Sequence, residues 1–304
     1  MLRVTFLGTS GSIPTPDRNP SAIIVNRKGE LLLFDCGEGT QQQMMRAKTG
    51  MNKLTSIFIT HLHADHVLGI PGLIQTMLFQ GRKEPLTIYG PYPIENFFRL
   101  LIAMGYYKPK FEIIVKELRP QDIIKGSEYV IQAFKTEHKV PSLGYALIEN
   151  QRRGRFNREK AIELGVKPGP LFAKLHSGES VFVNGKEIKS EQVVGKPRPG
   201  RKMVYTGDTR PCSTVLNASK NADLLIHDST FTSDILDWAK ETMHSTAAEA
   251  AELAKSAKVR QLVLTHISSR YPDTSQLLKE AKSIFNPVCI AKEMMEIVIP
   301  YQEE

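Results

Sequence analysis

Cysteine is scarce in this 304-residue sequence, and long apolar runs are missing from it. The three cysteines (Cys36, Cys212 and Cys289) are scattered and form no C-x-x-C pair, which excludes a disulfide framework and suits a reducing compartment. No apolar stretch approaches the length that spans a bilayer, and the amino terminus lacks a long apolar signal core. We therefore expect a soluble, cytoplasmic protein that has no membrane partner.

Internal repeats and low-complexity tracts are absent from the sequence as well. Hydrophobic residues make up 41% of the chain and charged residues 24%, which is an ordinary globular composition. A chain of this length can bury a sizeable core. We expect a single domain over residues 1–304.

The excess positive charge is confined to one segment. The chain has 40 Lys and Arg against 32 Asp and Glu, and residues 151–202 alone hold 13 of the basic and 5 of the acidic residues, so the rest is balanced. The segment is rich in Gly and Pro and interrupts the surrounding pattern, which favours an inserted arm. The simplest interpretation is a solvated surface insertion, but such a segment is also a candidate for binding phosphates.

Short β-branched apolar runs alternate with helical patterns and predict an α/β sheet core covered by helices. Predicted strands cover residues 4–7, 22–25, 31–34, 56–60, 86–89, 129–134, 181–183, 203–206, 224–226, 262–265 and 288–291. Predicted helices cover residues 40–46, 65–79, 94–104, 246–257 and 274–284.

A dense cluster of polar residues follows the strand at residues 56–60. His61, His63, Asp65 and His66 lie within six positions. In an extended chain His61 and His63 point to the same side of the strand. As a helix begins, Asp65 and His66 turn toward that same side. One metal ion can take the first two residues and a second ion the last two. A lone histidine after a strand is commonly structural, whereas four such groups at this spacing predict a metal site.

Other candidate ligands also follow predicted strands, namely His138, Asp208 and His266. Each is a weak signal alone. Together they supply a third nitrogen for each metal and a carboxylate that bridges both, and sites in open α/β sheets gather at strand ends. Gly207 allows the backbone to approach a ligand closely. Asp35, which ends another strand, is expected to accept a hydrogen bond from a ligand or from nearby backbone.

These motifs resemble the metallo-β-lactamase superfamily and, more narrowly, the ribonuclease Z (tRNase Z) family of tRNA 3′-processing endonucleases. The box HLHADH is the superfamily signature. The narrower resemblance rests on FLGT (6–9), LFDCGEGTQ (33–41), YTGDT (205–209), HST (244–246) and LTHISSRY (264–271). It covers most of the chain and implies a four-layer αββα metallo-β-lactamase fold with an inserted basic arm. Residues 165–178 resemble the Gly-Pro element of the family's tRNA-binding arm.

Position by position, the resemblance implies two zinc ions per chain. The implied ligands are His61, His63 and His138 for one ion, Asp65, His66 and His266 for the other, and Asp208 as the bridge. It also makes Asp65 the proton acceptor for the attacking water. Manganese or iron would fit the same ligand types.

Protonation of the leaving group needs a further residue, and His244 is the candidate. It precedes residues 246–249 (TAAE), a capping box that fixes the start of a helix. A helix N-terminus lowers the pKa of a nearby imidazole, so a carboxylate neighbour is needed to keep His244 protonated. The family has a Glu in that orienting role, and this chain has Asp228 at the matching position. The alternative for His244 is a plain cap residue, while His227 is expected to be structural and His176 to lie on the surface.

The sequence thus predicts an endoribonuclease that removes the 3′ trailer from precursor tRNA, leaving a 3′-hydroxyl on the tRNA and a 5′-phosphate on the trailer. Two alternatives stay open. A small-molecule hydrolase of the same superfamily, such as a phosphodiesterase or lactonase, would need no basic arm. A non-catalytic RNA-binding protein would lack at least one ligand. The resemblance also implies a homodimer in which one subunit's arm serves the partner's site.

Overall fold

The structure, a computed structural model, describes residues 1–103 and 109–302. The strands in this part of the chain are β1 (Leu2–Gly8), β2 (Ser10–Gly11), β3 (Ala22–Arg27), β4 (Glu30–Phe34), β5 (Leu54–Phe58), β6 (Leu86–Gly90), β7 (Ile113–Glu117), β8 (Ile123–Gly126), β9 (Tyr129–Lys135), β10 (Leu143–Glu149), β11 (Val181–Val183), β12 (Lys186–Ile188), β13 (Lys202–Tyr205), β14 (Leu224–Asp228), β15 (Leu262–Thr265), β16 (Ile267–Ser268), β17 (Val288–Ile290) and β18 (Glu296–Val298). The α-helices are α1 (Thr40–Arg46), α2 (Ala64–Val67), α3 (Ile70–Phe79), α4 (Ile94–Ala103), α5 (Arg158–Glu163), α6 (Pro170–Ser177), α7 (Ser213–Ser219), α8 (Leu236–Thr242), α9 (Ala247–Ser256) and α10 (Ser275–Ile284).

The chain divides into two compact units, and the larger one comprises Met1–Ile148 and Arg201–Tyr301. Its two main sheets have the strand orders β18-β1-β3-β4-β5-β6-β7 and β17-β15-β14-β13-β10-β9-β8. Pairing is parallel from β4 through β7 in the first sheet and from β13 through β14 and β15 to β17 in the second. Because neighbouring parallel strands end at the same edge of a sheet, the loops that follow them gather there.

Strand β4 shows why both faces of a sheet are apolar in this fold. Leu32 and Phe34 pack in the core that the two sheets share, whereas Leu31 and Leu33 pack on the opposite face against α3 and α4. Alternating side chains point to opposite faces of a strand, so a sheet covered on both sides needs apolar residues at every position. Helices α9 and α10 cover the outer face of the second sheet in the same way. The layer order helix, sheet, sheet, helix confirms the predicted αββα fold class.

The smaller unit, Glu149–Gly200, has a core of its own. Its buried side chains come from α5, α6, β11, β12 and their connections: Ala161, Val166, Leu175, Val181, Ile188 and Val193. The arm was predicted over residues 151–202, whereas Arg201 and Lys202 fall in the larger unit and Glu149 in the smaller. Residues 149–200 therefore have 11 Lys and Arg against 6 Glu, a net charge of +5 within the chain's +8.

The prediction of one helix over residues 65–79 was wrong, because the chain forms α2 and then α3 there. Gly69 lies between them, and a Cβ at this position would come within 2.1 Å of the Gly37 carbonyl oxygen. Pro71 stands in the first turn of α3, where its missing N–H costs no hydrogen bond. Residue 104, the last of the predicted helix 94–104, lies outside the described residues. Within the described residues, no helix is both long enough and apolar enough to cross a bilayer.

Candidate metal centre

The loops after β5, β9, β13 and β15, together with α2, bring all the predicted ligands to one place. Their ligand atoms form three groups in which all atoms lie within 4.8 Å of one another: His61, His63, His138 and Asp208; Asp65, His66 and His266; and Asp208, Asp228, His244 and His266. Asp208 and His266 belong to two groups each, so the groups are contiguous.

Three imidazoles converge in the first group. Nε2 of His61 lies 3.0 Å from Nδ1 of His63, which lies 3.3 Å from Nε2 of His138. Oδ2 of Asp208 is 3.6 Å from Nε2 of His61. Ligand atoms at the corners of a tetrahedron are separated by about 3.3–3.4 Å when the central ion is about 2.0–2.1 Å from each. These spacings therefore fit a zinc-sized site.

The second group contains two carboxylates. Nε2 of His66 lies 3.5 Å from Oδ2 of Asp65 and 3.4 Å from Oδ1 of Asp208. Nε2 of His266 lies 3.4 Å from the same oxygen of Asp65 and 3.2 Å from Oδ2 of Asp208. Asp208 thus borders both groups, as a bridging carboxylate has to.

Hydrogen bonds fix the imidazole nitrogens of the predicted ligands that face away from the interior of the site. Nδ1 of His138 donates to the carbonyl oxygen of Met243 at 3.0 Å, and Nδ1 of His66 donates to Oδ2 of Asp35 at 2.7 Å. Because a carbonyl and an ionised carboxylate only accept, both of these nitrogens carry protons. Each Nε2 is therefore the nitrogen that faces the interior of the site and that can bind a metal ion. Asp35 is thus the carboxylate that orients a ligand, as the sequence predicts.

Two threonine hydroxyls act in the same way. Oγ1 of Thr60 lies 3.1 Å from Nδ1 of His61, and Oγ1 of Thr230 lies 2.8 Å from Nδ1 of His266. Each hydroxyl donates its hydrogen bond to a buried carboxylate, so its oxygen accepts a hydrogen bond from the imidazole Nδ1–H. Neither threonine nor Met243 was predicted from the sequence. Only Thr60, directly before a ligand, offered a signal in the sequence.

Two inward-facing atoms of the site are left without a partner. Nε2 of His66 and Oδ1 of Asp208 are buried and have no hydrogen-bond partner within the described part of the chain. A buried polar group without a partner carries a free-energy penalty, and here two such groups face each other. A cation between them removes both penalties. The residues present therefore fit a metal centre.

The pKa values of the ligands lead to the same conclusion. Burial alone would lower the pKa of His66, but the carboxylates of Asp208, Asp35 and Asp65 outweigh burial and hold this pKa well above its ordinary value. Burial holds the pKa of His61 well below its ordinary value. The site thus attracts positive charge beside His66 and keeps His61 in the neutral form that binds metal.

Gly207 lets two ligand-bearing loops come together. Its φ is +60°, and a Cβ at this position would lie 2.7 Å from the side chain of Thr60. The loop after β13 therefore packs directly against the loop after β5. This close approach brings Asp208 to His61, and any larger residue at position 207 would separate them.

Asp65 is held by a residue that the sequence did not single out. The backbone N–H of Ser12 donates to Oδ2 of Asp65 at 2.9 Å. Burial would raise the pKa of Asp65, but His66 and His266 outweigh it and hold this pKa well below its ordinary value. Asp65 is therefore ionised at neutral pH.

His244 pairs with Asp228 beside the ligands. Nδ1 of His244 lies 3.0 Å from Oδ2 of Asp228, so the aspartate at the family's glutamate position reaches the imidazole despite its shorter side chain. Oδ1 of Asp228 accepts from the backbone N–H and the hydroxyl of Thr230, and Oδ2 accepts from the backbone N–H of Thr209. The ring of His244 stacks on that of His266, with 5.0 Å between centroids.

The pairing keeps His244 protonated. Burial would lower the pKa of His244, but the carboxylate of Asp228 outweighs it and raises this pKa to about 9. At neutral pH the imidazole carries a proton on Nδ1, toward Asp228, and a second on Nε2. The predicted capping box is confirmed: the Thr246 hydroxyl accepts from the backbone N–H of Glu249, whose carboxylate accepts from the backbone N–H of Thr246.

Arg210 fixes the loop that carries His244. Nη1 of Arg210 donates to the carbonyl oxygen of His244 at 2.5 Å, and both terminal nitrogens donate to the carboxylate of Glu249. The backbone N–H of Arg210 donates to the carbonyl oxygen of Glu137, next to His138. Arg210 thus joins the loops that carry His244 and His138, and it was not predicted from the sequence.

The two remaining predicted histidines lie apart from these ligand groups. His227 is buried in β14, with Nδ1 2.7 Å from the carbonyl oxygen of Asp228. His176 is exposed at the end of α6 in the smaller unit. Both positions agree with the structural and surface roles expected for them.

Two family models match parts of the chain. Residues 2–153 match the model described as anti-Pycsar protein Apyc1, and residues 171–267 match the model described as beta-lactamase superfamily domain. Similarity to known proteins extends over the whole sequence. The chain is 63% identical to ribonuclease Z of Methanosarcina mazei and 62% identical to ribonuclease Z of Methanosarcina acetivorans, with 100% of each chain covered. Among solved structures it is similar to the short form of human tRNase Z, with a TM-score of 0.72, 30% identity, and 98% of this chain and 99% of that chain covered.

Proposed function

The chain belongs to the ribonuclease Z family, and we propose that it is a metal-dependent endoribonuclease that removes the 3′ trailer from precursor tRNA. The observation that carries the proposal is the convergence of the ligand groups on Asp208 with the protonated His244 beside them. The cut leaves a 3′-hydroxyl on the tRNA and a 5′-phosphate on the trailer.

The proposed cofactor is two zinc ions per chain. His61, His63 and His138 would hold one ion, Asp65, His66 and His266 would hold the other, and Asp208 would contact both. Imidazole with carboxylate ligands suits zinc, and manganese or iron shares this ligand preference. When bound, the cations would neutralise charge on the scissile phosphate and lower the pKa of the attacking water.

Asp65 orients the attacking water in this mechanism. Its Oδ2 is fixed by the backbone N–H of Ser12 and faces Nε2 of both His66 and His266. An ionised carboxylate in this position accepts a hydrogen bond from the water and directs the water's lone pair toward phosphorus. Because its pKa is low, Asp65 accepts the proton only transiently.

His244 provides the proton for the leaving oxygen. As the bond between phosphorus and the O3′ atom of the tRNA breaks, that oxygen takes the proton from Nε2 of His244. Asp228 keeps its hydrogen bond to Nδ1 and holds the ring in place throughout. The neutral imidazole is then reprotonated from solvent, which the raised pKa favours. A general acid of this kind contributes about 10²–10⁴-fold to the rate.

The smaller unit supplies most of the affinity for tRNA in this proposal. Lys167 and Lys174 are exposed there, within the segment that resembles the family's Gly-Pro element. Binding of phosphates by such side chains releases counterions, so affinity falls steeply with salt. The proposal also includes a homodimer, supported by the resemblance, and a cytoplasmic location, supported by the cysteine pattern. Sedimentation equilibrium tests the first of these.

The function is tested by incubating the protein with a 3′-extended precursor tRNA, with and without a chelator, and mapping both product ends. We expect one cut at the 3′ end of the tRNA, loss of cutting after metal removal, and recovery when zinc is added back. Cutting that persists in verified metal-free protein, or a 3′-phosphate on the tRNA, would contradict the proposal.

The two alternatives predict different results in the same assay. A small-molecule hydrolase would turn over a lactone or a small phosphodiester and leave the precursor intact. A non-catalytic RNA-binding protein would bind the precursor and release it uncut. A decayed site predicts a missing ligand, and all seven predicted ligands are present.

A further inference from the structure

Two surface cavities adjoin each other on the larger unit. The first has a volume of about 390 Å³ and is lined by Tyr92, Arg119 and His138, among others. The second has a volume of about 410 Å³ and reaches Asn217. Pro120 and Lys135 line both cavities, and we call the two cavities together the side groove.

The side groove begins at the candidate metal centre. His138 lines the first cavity, and its Nε2 lies 3.3 Å from Nδ1 of His63 in the first ligand group. From there the groove passes Pro120 and Lys135 and continues to α7, where Asn217 lies. A strand of nucleic acid cut beside His138 would therefore find this groove directly next to the cut.

The side chains along the groove suit a single-stranded polynucleotide. The basic residues Arg119 and Lys135 outnumber Glu137, the acidic residue of the lining, so the groove has a net positive charge that attracts phosphates. Tyr92 is 64% exposed, and its ring offers a surface for base stacking. Proteins that bind single strands combine basic grooves with aromatic side chains in this way. Each cavity has a volume within the range of about 300–1,000 Å³ for small-ligand sites, which is room for individual nucleotides.

We propose that the side groove binds the single-stranded 3′ trailer of the precursor, and this rests on the proposed function. The first nucleotide after the cut lies in the first cavity, with its base on Tyr92 and the phosphate on its 3′ side near Arg119. Later nucleotides pass Lys135 into the second cavity. The acceptor stem is double-stranded, whereas the trailer is the single-stranded part of the substrate that directly follows the cut.

The test uses precursor tRNAs whose trailers are lengthened one nucleotide at a time. Affinity is measured in chelator, where no turnover occurs, for wild type, Lys135→Glu, Tyr92→Ala and Tyr92→Phe. We expect wild-type affinity to increase with trailer length and then to level off. Lys135→Glu should lose about ten-fold in affinity for long trailers and reduce the salt slope by about 0.7, the value for one phosphate contact on a single strand. Tyr92→Ala should lose about five-fold or more from the shortest trailer onward, and Tyr92→Phe should retain the affinity.

Lys125→Glu is the matched control. Lys125 is exposed on the neighbouring strand β8 and lines neither cavity, so this variant has the same change of charge away from the groove. Its length dependence should match that of wild type. Equal losses in Lys125→Glu and Lys135→Glu would overturn the proposal, and so would a loss in Lys135→Glu that is the same for tRNA without a trailer.

The outcome is separable from that of the proposed function. If the wild type cuts precursor tRNA but affinity does not depend on trailer length in any variant, the groove assignment fails and the function stands. If the length dependence is present and is lost in Lys135→Glu while the wild type cuts nothing, the groove binds single strands and the function fails.

Discussion

Nδ1 of His244 lies 3.0 Å from Oδ2 of Asp228, a carboxylate that is fully buried at the end of β14. This contact determines the charge of the imidazole next to the candidate metal centre. It also orients the ring, because hydrogen bonds from Thr209 and Thr230 fix the carboxylate itself. The two residues therefore act as one unit, and the first predictions concern that unit.

Removal of the proposed general acid should slow cleavage while leaving the proposed metal site intact. We expect His244→Ala to reduce single-turnover cleavage of precursor tRNA by about 10²–10⁴-fold, with unchanged metal content. Asp228→Ala should cost less, and the double variant should be little slower than His244→Ala, because both changes affect the same step. Additive losses would show that the two residues act separately.

A substrate with an activated leaving group is the control for that prediction. A small phosphodiester whose leaving group is stable as an anion needs no proton, so His244→Ala should slow its hydrolysis far less than it slows tRNA cleavage. Equal slowing of both substrates would mean that His244 does not act as the acid.

The pH dependence of cleavage should reflect the same pairing. His244 has a pKa of about 9, so the acid is present below that pH, and kcat/KM should fall as the pH rises through it. Asp228→Asn removes the carboxylate that raises the pKa of His244, so the alkaline limb should move to lower pH. A limb that stays in place in Asp228→Asn would assign the titration to another group.

Arg210 should control the position of His244 without contacting the substrate. Arg210→Ala removes the hydrogen bonds to the His244 carbonyl oxygen and to Glu249, and we expect kcat to fall by about ten-fold or more because the imidazole shifts. KM and metal content should change little, and Arg210→Lys should recover part of the rate. Arg260→Ala, which removes another arginine–carboxylate pair, is the control. A fall in metal content in Arg210→Ala would indicate a wider structural role.

The charge of the smaller unit should determine affinity for tRNA more than catalysis. Lys167→Glu combined with Lys174→Glu should raise KM for precursor tRNA and reduce the salt slope by about 0.7–0.9 for each phosphate that is no longer bound. Hydrolysis of a small phosphodiester should be unchanged. Lys255→Glu with Lys279→Glu, exposed lysines of the larger unit, is the matched control. If both pairs of changes weaken tRNA binding equally, the smaller unit has no special part in it.

Much of the fold was predictable because its signals are local. The strands at residues 181–183 and 262–265 and the helix at residues 40–46 have the predicted bounds, since each is a short periodic run between clear breaks. Strands β7, β8, β10 and β18 were missed, because charged residues or glycine interrupt their apolar runs and pairing across the sheet supplies what the local sequence lacks. The break between α2 and α3 depends on Gly69 meeting Gly37, a contact made only in the fold.

The candidate site was also predictable only in part from the sequence. All seven predicted ligands come together with His244 and Asp228. This convergence was predictable, because these residues follow strand ends or belong to recognisable sequence motifs. The groups that orient them were mostly not predicted. The N–H of Ser12 and the carbonyl oxygen of Met243 are backbone groups, so the type of residue gives no indication that they make these contacts. Arg210 acts through a pairing with Glu249 that lies 39 positions away in the chain.

The most direct test of the proposed metal centre is the metal content of purified wild type and Asp208→Ala, measured by elemental analysis under matched conditions. Asp208 lies against ligands of both proposed ions, at 3.6 Å from His61, 3.4 Å from His66 and 3.2 Å from His266. We expect about two zinc ions per chain in the wild type and weakened binding of both ions in the variant, together with loss of tRNA cleavage. Full metal occupancy in Asp208→Ala, or a single tightly held ion in the wild type, would contradict the bridging role of Asp208.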